Sequence, residues 1–197
     1  MMMKTALLLT MAPAAAGAAA PSVPIGIARQ VPQGYGVLAR AEVVAGQPRR
    51  VFEIVALAWR NEGDGRARAA PARPLLIFER KRDRYVLAGR NDRIVMKADE
   101  GGQCDPFLDG DATIATKGRY FTVQNGVACG QHWTDYVTFR LDDAAGGFVF
   151  DNERLESWSM NPSTAPDADA LVRDGPPRVL RDRTGRVTPF AAWRPAR

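Results

Sequence analysis

Residues 118–140 read GRYFTVQNGVACGQHWTDYVTFR. Two runs within or beside this stretch, YFTVQ at 120–124 and YVTFRL at 136–141, combine aromatic and β-branched side chains. That composition suits a pleated, half-buried surface. Asn125-Gly126 stands between them, and this dipeptide takes the positive φ of a tight hairpin turn with little strain. The stretch is therefore read as two strands around a turn at the centre of an antiparallel sheet. It also holds Cys129, the chain's single histidine (His132) and Trp133.

The other cysteine, Cys104, lies upstream in GGQCDPF. Its meaning depends on the N-terminus. MMMK supplies a short basic start with Lys4, TALLLTMAPAAA an apolar run, and GAAA small residues for a signal peptidase. This pattern predicts a signal peptide over residues 1–19, with cleavage after Ala18 or Ala19, and one exported domain over 20–197. The apolar run is shorter than the ~20 residues a membrane-crossing helix needs, and no transmembrane segment is expected elsewhere. Without Lys4 the 27 basic residues become 26 against 22 acidic. An exported protein meets an oxidising compartment, where two cysteines most often pair. A Cys104–Cys129 disulfide is thus expected, in a periplasmic or secreted protein. With no C-x-x-C and no histidine cluster, the sequence gives little support to a metal-binding or catalytic thiol.

The rest of the chain repeats the strand-and-turn rhythm. Residues 21–33 are proline-punctuated and predicted extended. Residues 34–44 suggest a first strand, followed by the turn GQPRR. The dense run VFEIVALAW at 51–59 fits a strand buried on both faces. NEGDGRARAAPAR at 61–73 reads as a solvated loop. LLIFE (75–79) and YVLA (85–88) flank the charged turn RKRDR, a hairpin whose basic tip reads as a solubilising turn rather than a nucleic-acid contact. IVMKA at 94–98 suggests another short strand. Further strands are predicted at 148–151 and 155–160, after the turn DDAAGG. Residues 161–177 form a connector with one or two helical turns near 167–173, and a small hairpin is predicted about Thr184-Gly185. Turn signals recurring every 8–12 residues predict an all-β single domain. Its architecture should be mainly an antiparallel sheet or sandwich, with at most a short helix near 167–173.

Candidate chemistry is sparse. A histidine mechanism must use His132, with Asp135 three residues away as its carboxylate. No serine lies in G-x-S-x-G. Hydrolysis by paired carboxylates needs two acids across a cleft, which the sequence does not place. Trp133, Tyr136 and Trp158 are candidates for a sugar- or peptide-binding platform, because aromatic rings present large apolar faces. The loop 99–111 carries Asp99, Glu100, Asp105, Asp109 and Asp111. Asp105, Asp109 and Asp111 are its candidate cation ligands, although their spacing does not match an EF-hand loop. Neither a phosphate-cradling P-loop nor a dinucleotide fingerprint occurs. No cofactor is expected.

The stretch 73–161 includes RPLLIFER, YVLAGRND, GGQCDPF, the 118–140 segment and FVFDNERLESWSMN. It resembles a group of uncharacterised exported proteins of Gram-negative bacteria. Members of that group often carry upstream a segment similar to the calcium-binding start of an FG-GAP-type repeat, an acidic D-x-N-x-D-G stretch before an apolar strand. Here the corresponding AEVVAGQPRRVFEIVAL, 41–57, keeps the apolar strand and lacks the aspartates, leaving Glu42 and Glu53. The resemblance implies a fold and a compartment, and no activity. Export, small size, aromatic content and the missing catalytic signature point first to a non-enzymatic binding or interaction module. Its expected partner is cell-envelope glycan or protein, with no nucleic acid. The alternative expectation is a small periplasmic hydrolase using His132.

Overall fold

The alternating run at 120–141 and the dense apolar run at 51–59 belong to two different sheets that share one core. The computed structural model describes residues 21–62, 70–108, 113–130, 132–182 and 187–195. The expected signal peptide lies outside them. Strands β1 (Tyr35–Ala45), β2 (Arg50–Trp59), β3 (Arg73–Lys81) and β4 (Arg84–Val95) form an antiparallel meander in sequence order. The second sheet holds β5 (Ile114–Lys117), β6 (Tyr120–Val127), β7 (His132–Asp142), β8 (Gly147–Met160), β9 (Leu171–Arg173) and β10 (Arg178–Arg181). Its order is β10-β8-β7-β6-β5, with β9 also pairing with β8. The protein is all-β, as the turn spacing predicts. Among the described residues no helix is long and apolar enough to cross a membrane.

Period-two alternation builds the core. Phe121, Val123, Val137, Phe139, Leu141 and Phe148 point inward from the larger sheet and meet Phe52, Ile54, Leu75 and Ile77 from the smaller one. Phe121 and Phe139 stack at 5.2 Å between ring centroids, and Phe52 meets Phe148 edge-on at 5.0 Å. Such pairs add about 0.5–1.5 kcal/mol beyond the area they bury. Strand β2 is buried on both faces as expected. Its other face sends Val55 and Leu57 into a second cluster with Leu76, Phe78 and Ile27. Residues 21–34 cover that face. They are not simply extended: α1 (Ile25–Ala28) forms one helical turn. The Pro24 carbonyl accepts from the N–H groups of Ile27 and Ala28, and the turn aims Ile27, fully buried, at the sheet.

Cys104 and Cys129 form the disulfide, with 6.2 Å between their Cα atoms. It ties the loop after β4 to the β6–β7 connection. Asn125 and Gly126 are not the turn. They lie inside β6, opposite Asp135 and Thr134 on β7. Asn125 is fully buried and spends its amide on the other sheet. Its Oδ1 accepts from Met96 N at 3.0 Å and its Nδ2 donates to the Ile94 carbonyl at 3.0 Å. At Gly126 a Cβ would come within 2.7 Å of the Trp133 carbonyl oxygen. The dipeptide answers to close approach and sheet-to-sheet bonding rather than to turn geometry.

Other boundaries also move. Ile94 and Val95 end β4 rather than forming a strand of their own, because register shifts in the β3–β4 ladder let β4 continue past Asn91. Residues 171–173, read as helical, extend β9 against Trp158–Met160 of β8 instead, a pairing worth more than one isolated turn. Thr184 and Gly185 lie outside the described residues. Their flanks do not pair with each other: Arg178–Arg181 pairs with residues 152–155 of β8, and Pro189 bridges Val149 farther along the same strand. Arg73, assigned from sequence to a solvated loop, begins β3 and is fully buried.

Candidate functional site

Strand periodicity sorts the residues of β7 into two sets. Leu141, Phe139, Val137, Asp135 and Trp133 share the inward face. Arg140, Thr138, Tyr136, Thr134 and His132 share the outward one. The register carries this sorting onto β8, where Glu153, Leu155 and Ser157 face inward beside Val137, Asp135 and Trp133. A bulge between Thr138 and Phe139 inserts one residue on β8 and keeps both the phenylalanines before it and Glu153 after it on the inner face. The inner face is thus apolar as far as Val137 and carries carboxylates beyond it.

Those carboxylates open into a cleft of about 310 Å³ at one end of the sandwich. Trp133, Asp135, Glu153, Leu155 and Ser157 form one wall; Ile94 near the end of β4 and Met96 just past it, with Trp193 and Pro195, form the other, and exposed Arg93 also lines the cleft. Leu155 keeps 39% of its surface exposed here. The opposite wall is a C-terminal strap containing the 3-10 turn Phe190–Ala192. Buried Asn91 fixes the strap by donating Nδ2 to the carbonyls of Phe190 at 2.7 Å and Trp193 at 3.1 Å. Phe190 and Trp193 anchor it further by ring contacts with Phe139 at 5.2 and 6.0 Å. A volume near 300 Å³ with aromatic walls and a few convergent polar groups is the usual form of a small-ligand site.

The candidate residues divide between two surfaces. His132 and Asp135 sit on opposite faces of β7, so the expected histidine–carboxylate pair is not assembled. Trp133 lies in the cleft, whereas Tyr136 and Trp158 lie on the outer face, where Trp158 is paired with His132. There the Arg173 guanidinium sits 5.8 Å from the Trp158 ring centroid. Arg173 also pairs at 3.3 Å with buried Glu156, to which Arg154 forms a second ion pair. These long side chains cover the sheet. The three aromatics therefore do not make one platform.

The acidic loop has a different use. Asp105 binds Arg73, whose Nη1 donates to Asp105 Oδ1 at 2.6 Å and to the Met96 carbonyl at 3.1 Å. Arg73 Nε donates to Glu62 at 3.0 Å, and its Nη2 reaches both carboxylates. Burial works against the Arg73 charge, but the bonds to Asp105 and Glu62 outweigh it and raise its pKa further. Burial likewise opposes the Asp105 charge; Arg73 and the Phe107 N–H overcome this and hold the carboxyl below its ordinary value. Asp109 and Asp111 lie outside the described residues. Among the described residues no group of three or more His, Cys, Asp or Glu is placed to hold a metal ion.

A second cavity, about 250 Å³, lies at the opposite end of the sandwich between Arg50, Glu79, Phe148 and Phe190. Its charges already satisfy each other: Arg50 Nε donates to Glu79 Oε1 at 2.7 Å. That bond is the largest influence holding the Glu79 carboxyl below its ordinary value. The Trp133 cleft presents the more versatile chemistry, with two carboxylates, a guanidinium, a hydroxyl and two indoles around one opening. No protein-family model, curated protein or solved structure matches this chain.

Proposed function

We propose that this protein is an exported, non-enzymatic binding module of the cell envelope whose ligand, a saccharide, enters the Trp133 cleft. The observation that carries this reading is the meeting of Trp133 and Trp193 with Asp135, Glu153 and Ser157 in one cleft. Indole faces pack on the C–H faces of a sugar ring, and carboxylate and hydroxyl oxygens bond its hydroxyl groups. The N-terminal signal pattern and the disulfide support a periplasmic or secreted location. Strong desolvation of a few groups around an aromatic anchor is what gives a small site its affinity.

Titration of the purified protein with β-1,4-linked N-acetylglucosamine oligomers, followed by tryptophan fluorescence and calorimetry, tests the reading. Saturable binding that Trp133→Ala abolishes while the melting temperature stays within a few degrees supports it. Binding unaffected by Trp133→Ala but lost in Trp158→Ala would move the site to the outer face and overturn it. Cleavage of the bound oligomer, lost in Asp135→Asn and Glu153→Gln, would make the inward carboxylates an acid pair for glycoside hydrolysis. The location is tested separately by intact mass of the periplasmic fraction with and without reductant. Loss of residues 1–19 and two thiols revealed only on reduction are expected.

A further inference from the structure

Beyond the Trp133 cleft, and sharing Arg93 and Pro195 with it, a trough of about 780 Å³ runs along the exposed side of β4. Four cationic side chains line it, Arg90, Arg93, Lys97 and Arg194, against two carboxylates, Asp92 and Glu100. Asp92 is paired within the trough, and Glu100 stands against the other three cations. Asp92 takes a bidentate pair from Arg90, at 2.7 and 2.9 Å. Glu100 Oε2 accepts from the Lys97 backbone N–H at 2.9 Å. Among the described residues no carboxylate forms an ion pair with Arg93, Lys97 or Arg194. Arg194 is held in place by its Nη1, which donates to the Trp193 carbonyl at 3.3 Å. Asn91 and Val95, both buried, lie beneath the trough, and Asn91 fixes the strap that forms its far wall.

With Asp92 paired to Arg90, three cations face the single carboxylate Glu100, and an excess of cations in a concave surface concentrates positive potential and attracts anions. Guanidinium forks bind planar oxyanions with two parallel hydrogen bonds. The trough adjoins the cleft through Arg93, so one extended ligand can reach both. We propose that the trough binds an anionic group, carboxylate or phosphate, carried by the saccharide whose ring occupies the Trp133 cleft. This inference rests on the cleft reading for the saccharide part and stands separately for the anion part. Asp135 and Glu153 face the ring end of such a ligand and Arg93, Lys97 and Arg194 its charged end, which fixes its direction.

The test compares three probes on the full-length mature protein: tri-galacturonic acid, its methyl ester and inorganic pyrophosphate. Each is titrated against wild type, Trp133→Ala and the double variant Lys97→Ala/Arg194→Ala. The acid is expected to bind about tenfold or more tighter than the ester at low salt. That advantage should vanish in the double variant and near 1 M salt, where the Debye length falls to about 3 Å. The ester should be insensitive to the double substitution. Pyrophosphate binding lost in the double variant but kept in Trp133→Ala supports the anion site even if no saccharide binds, an outcome that ends the cleft reading alone. Absence of any Lys97/Arg194-dependent binding of the acid or pyrophosphate overturns the proposal. Equal dependence on these residues for phosphatidylglycerol vesicles or a DNA oligonucleotide, without galacturonate binding, overturns the saccharide assignment. A melting temperature for the double variant within a few degrees of wild type shows that a lost site is not a lost fold.

Discussion

Arg73→Met should be among the most destabilising single substitutions in this chain. The guanidinium is fully buried and joins Glu62, before β3, to Asp105, beside the disulfide. Breaking a buried ion pair from one side costs about 3–5 kcal/mol, because the surviving charge is left unpaired. The Glu62 and Asp105 side chains keep 11% and 23% of their exposure, so water recovers part of their solvation and the low end, about 3 kcal/mol, applies. The Met96 carbonyl loses a donor as well, adding about 1 kcal/mol. A loss near 4 kcal/mol is large against the ~5–15 kcal/mol stability of a domain. With a urea m-value of about 2 kcal/mol/M, the unfolding midpoint should fall by about 2 M with m unchanged. Tryptophan fluorescence and far-ultraviolet circular dichroism of the oxidised protein read this directly. Adding Glu62→Gln and Asp105→Asn to Arg73→Met should restore at least half of the loss, since most of it comes from stranded carboxylates. The pH dependence has a definite sign. The Asp105 carboxyl has a lowered folded value, so its contribution is complete above about pH 4 and is lost as pH falls through that folded value. The gap between wild type and Arg73→Met should therefore narrow in acid and stay constant from about pH 6 to 8. A midpoint shift below about 0.5 M, or a triple variant no more stable than the single one, would refute this account.

Further outcomes follow from the same packing. Replacing both cysteines by alanine reopens a loop with a sequence separation of 25, which the chain-entropy model values at roughly 3.5 kcal/mol; a urea midpoint equal to wild type would mean that the reduced chain retains the closure. Asn125→Leu strands the Met96 N–H and the Ile94 carbonyl at about 1–3 kcal/mol each, and backbone amide exchange at Met96 should accelerate by roughly 5- to 150-fold, since each 1.4 kcal/mol is about tenfold. Gly126→Val places a Cβ 2.7 Å from the Trp133 carbonyl oxygen; it should lower the melting temperature and disturb Trp133 fluorescence together, whereas Gly175→Ala should change neither, since nothing lies within 4 Å of that position.

The fold was legible wherever a residue's environment depends on its immediate neighbours in sequence. The dense run at 51–59 predicts a strand covered on both sides, and Phe52 to Ala58 are all buried. The hairpin about residues 80–84 and the turn at 143–146 likewise follow from local polarity. Failures came where long-range bonding decides. Asn125-Gly126 has the chemistry of a turn, yet Asn125 bonds two backbone groups 29 and 31 residues away. Such partners have no sequence signature. β5, with the plain composition IATK, forms because β6 offers an open edge, not because those residues demand a strand. Arg73 looked solvated beside Arg66 and Arg68, and only its position at the start of a buried strand, with two carboxylates brought to it, makes a core arginine possible.

The candidate site was legible in part for the same reason. Trp133 and Asp135 were singled out by type, and strand periodicity alone would have put them on one face and His132 on the other. That inference requires β7 to begin at His132, which a turn at 125–126 does not by itself fix. Glu153, Arg93 and Trp193 come from segments distant in sequence, and the β8 bulge decides which way Glu153 points. A usable signal did exist: on strands whose inward positions are mostly Val, Phe and Leu, Asp135 and Glu153 break the apolar alternation near the same end of adjacent strands. Carboxylates at inward positions need polar partners or solvent, so paired interruptions of an apolar inward face mark where a sandwich departs from a closed apolar core. The inward face is exposed at that end, where Leu155 keeps 39% of its surface, and the Asn91-anchored strap makes it a walled cleft beside a cationic trough. The proposed function thus depends on two features no local pattern encodes, the β8 bulge that turns Glu153 inward and the docking of the C-terminal strap.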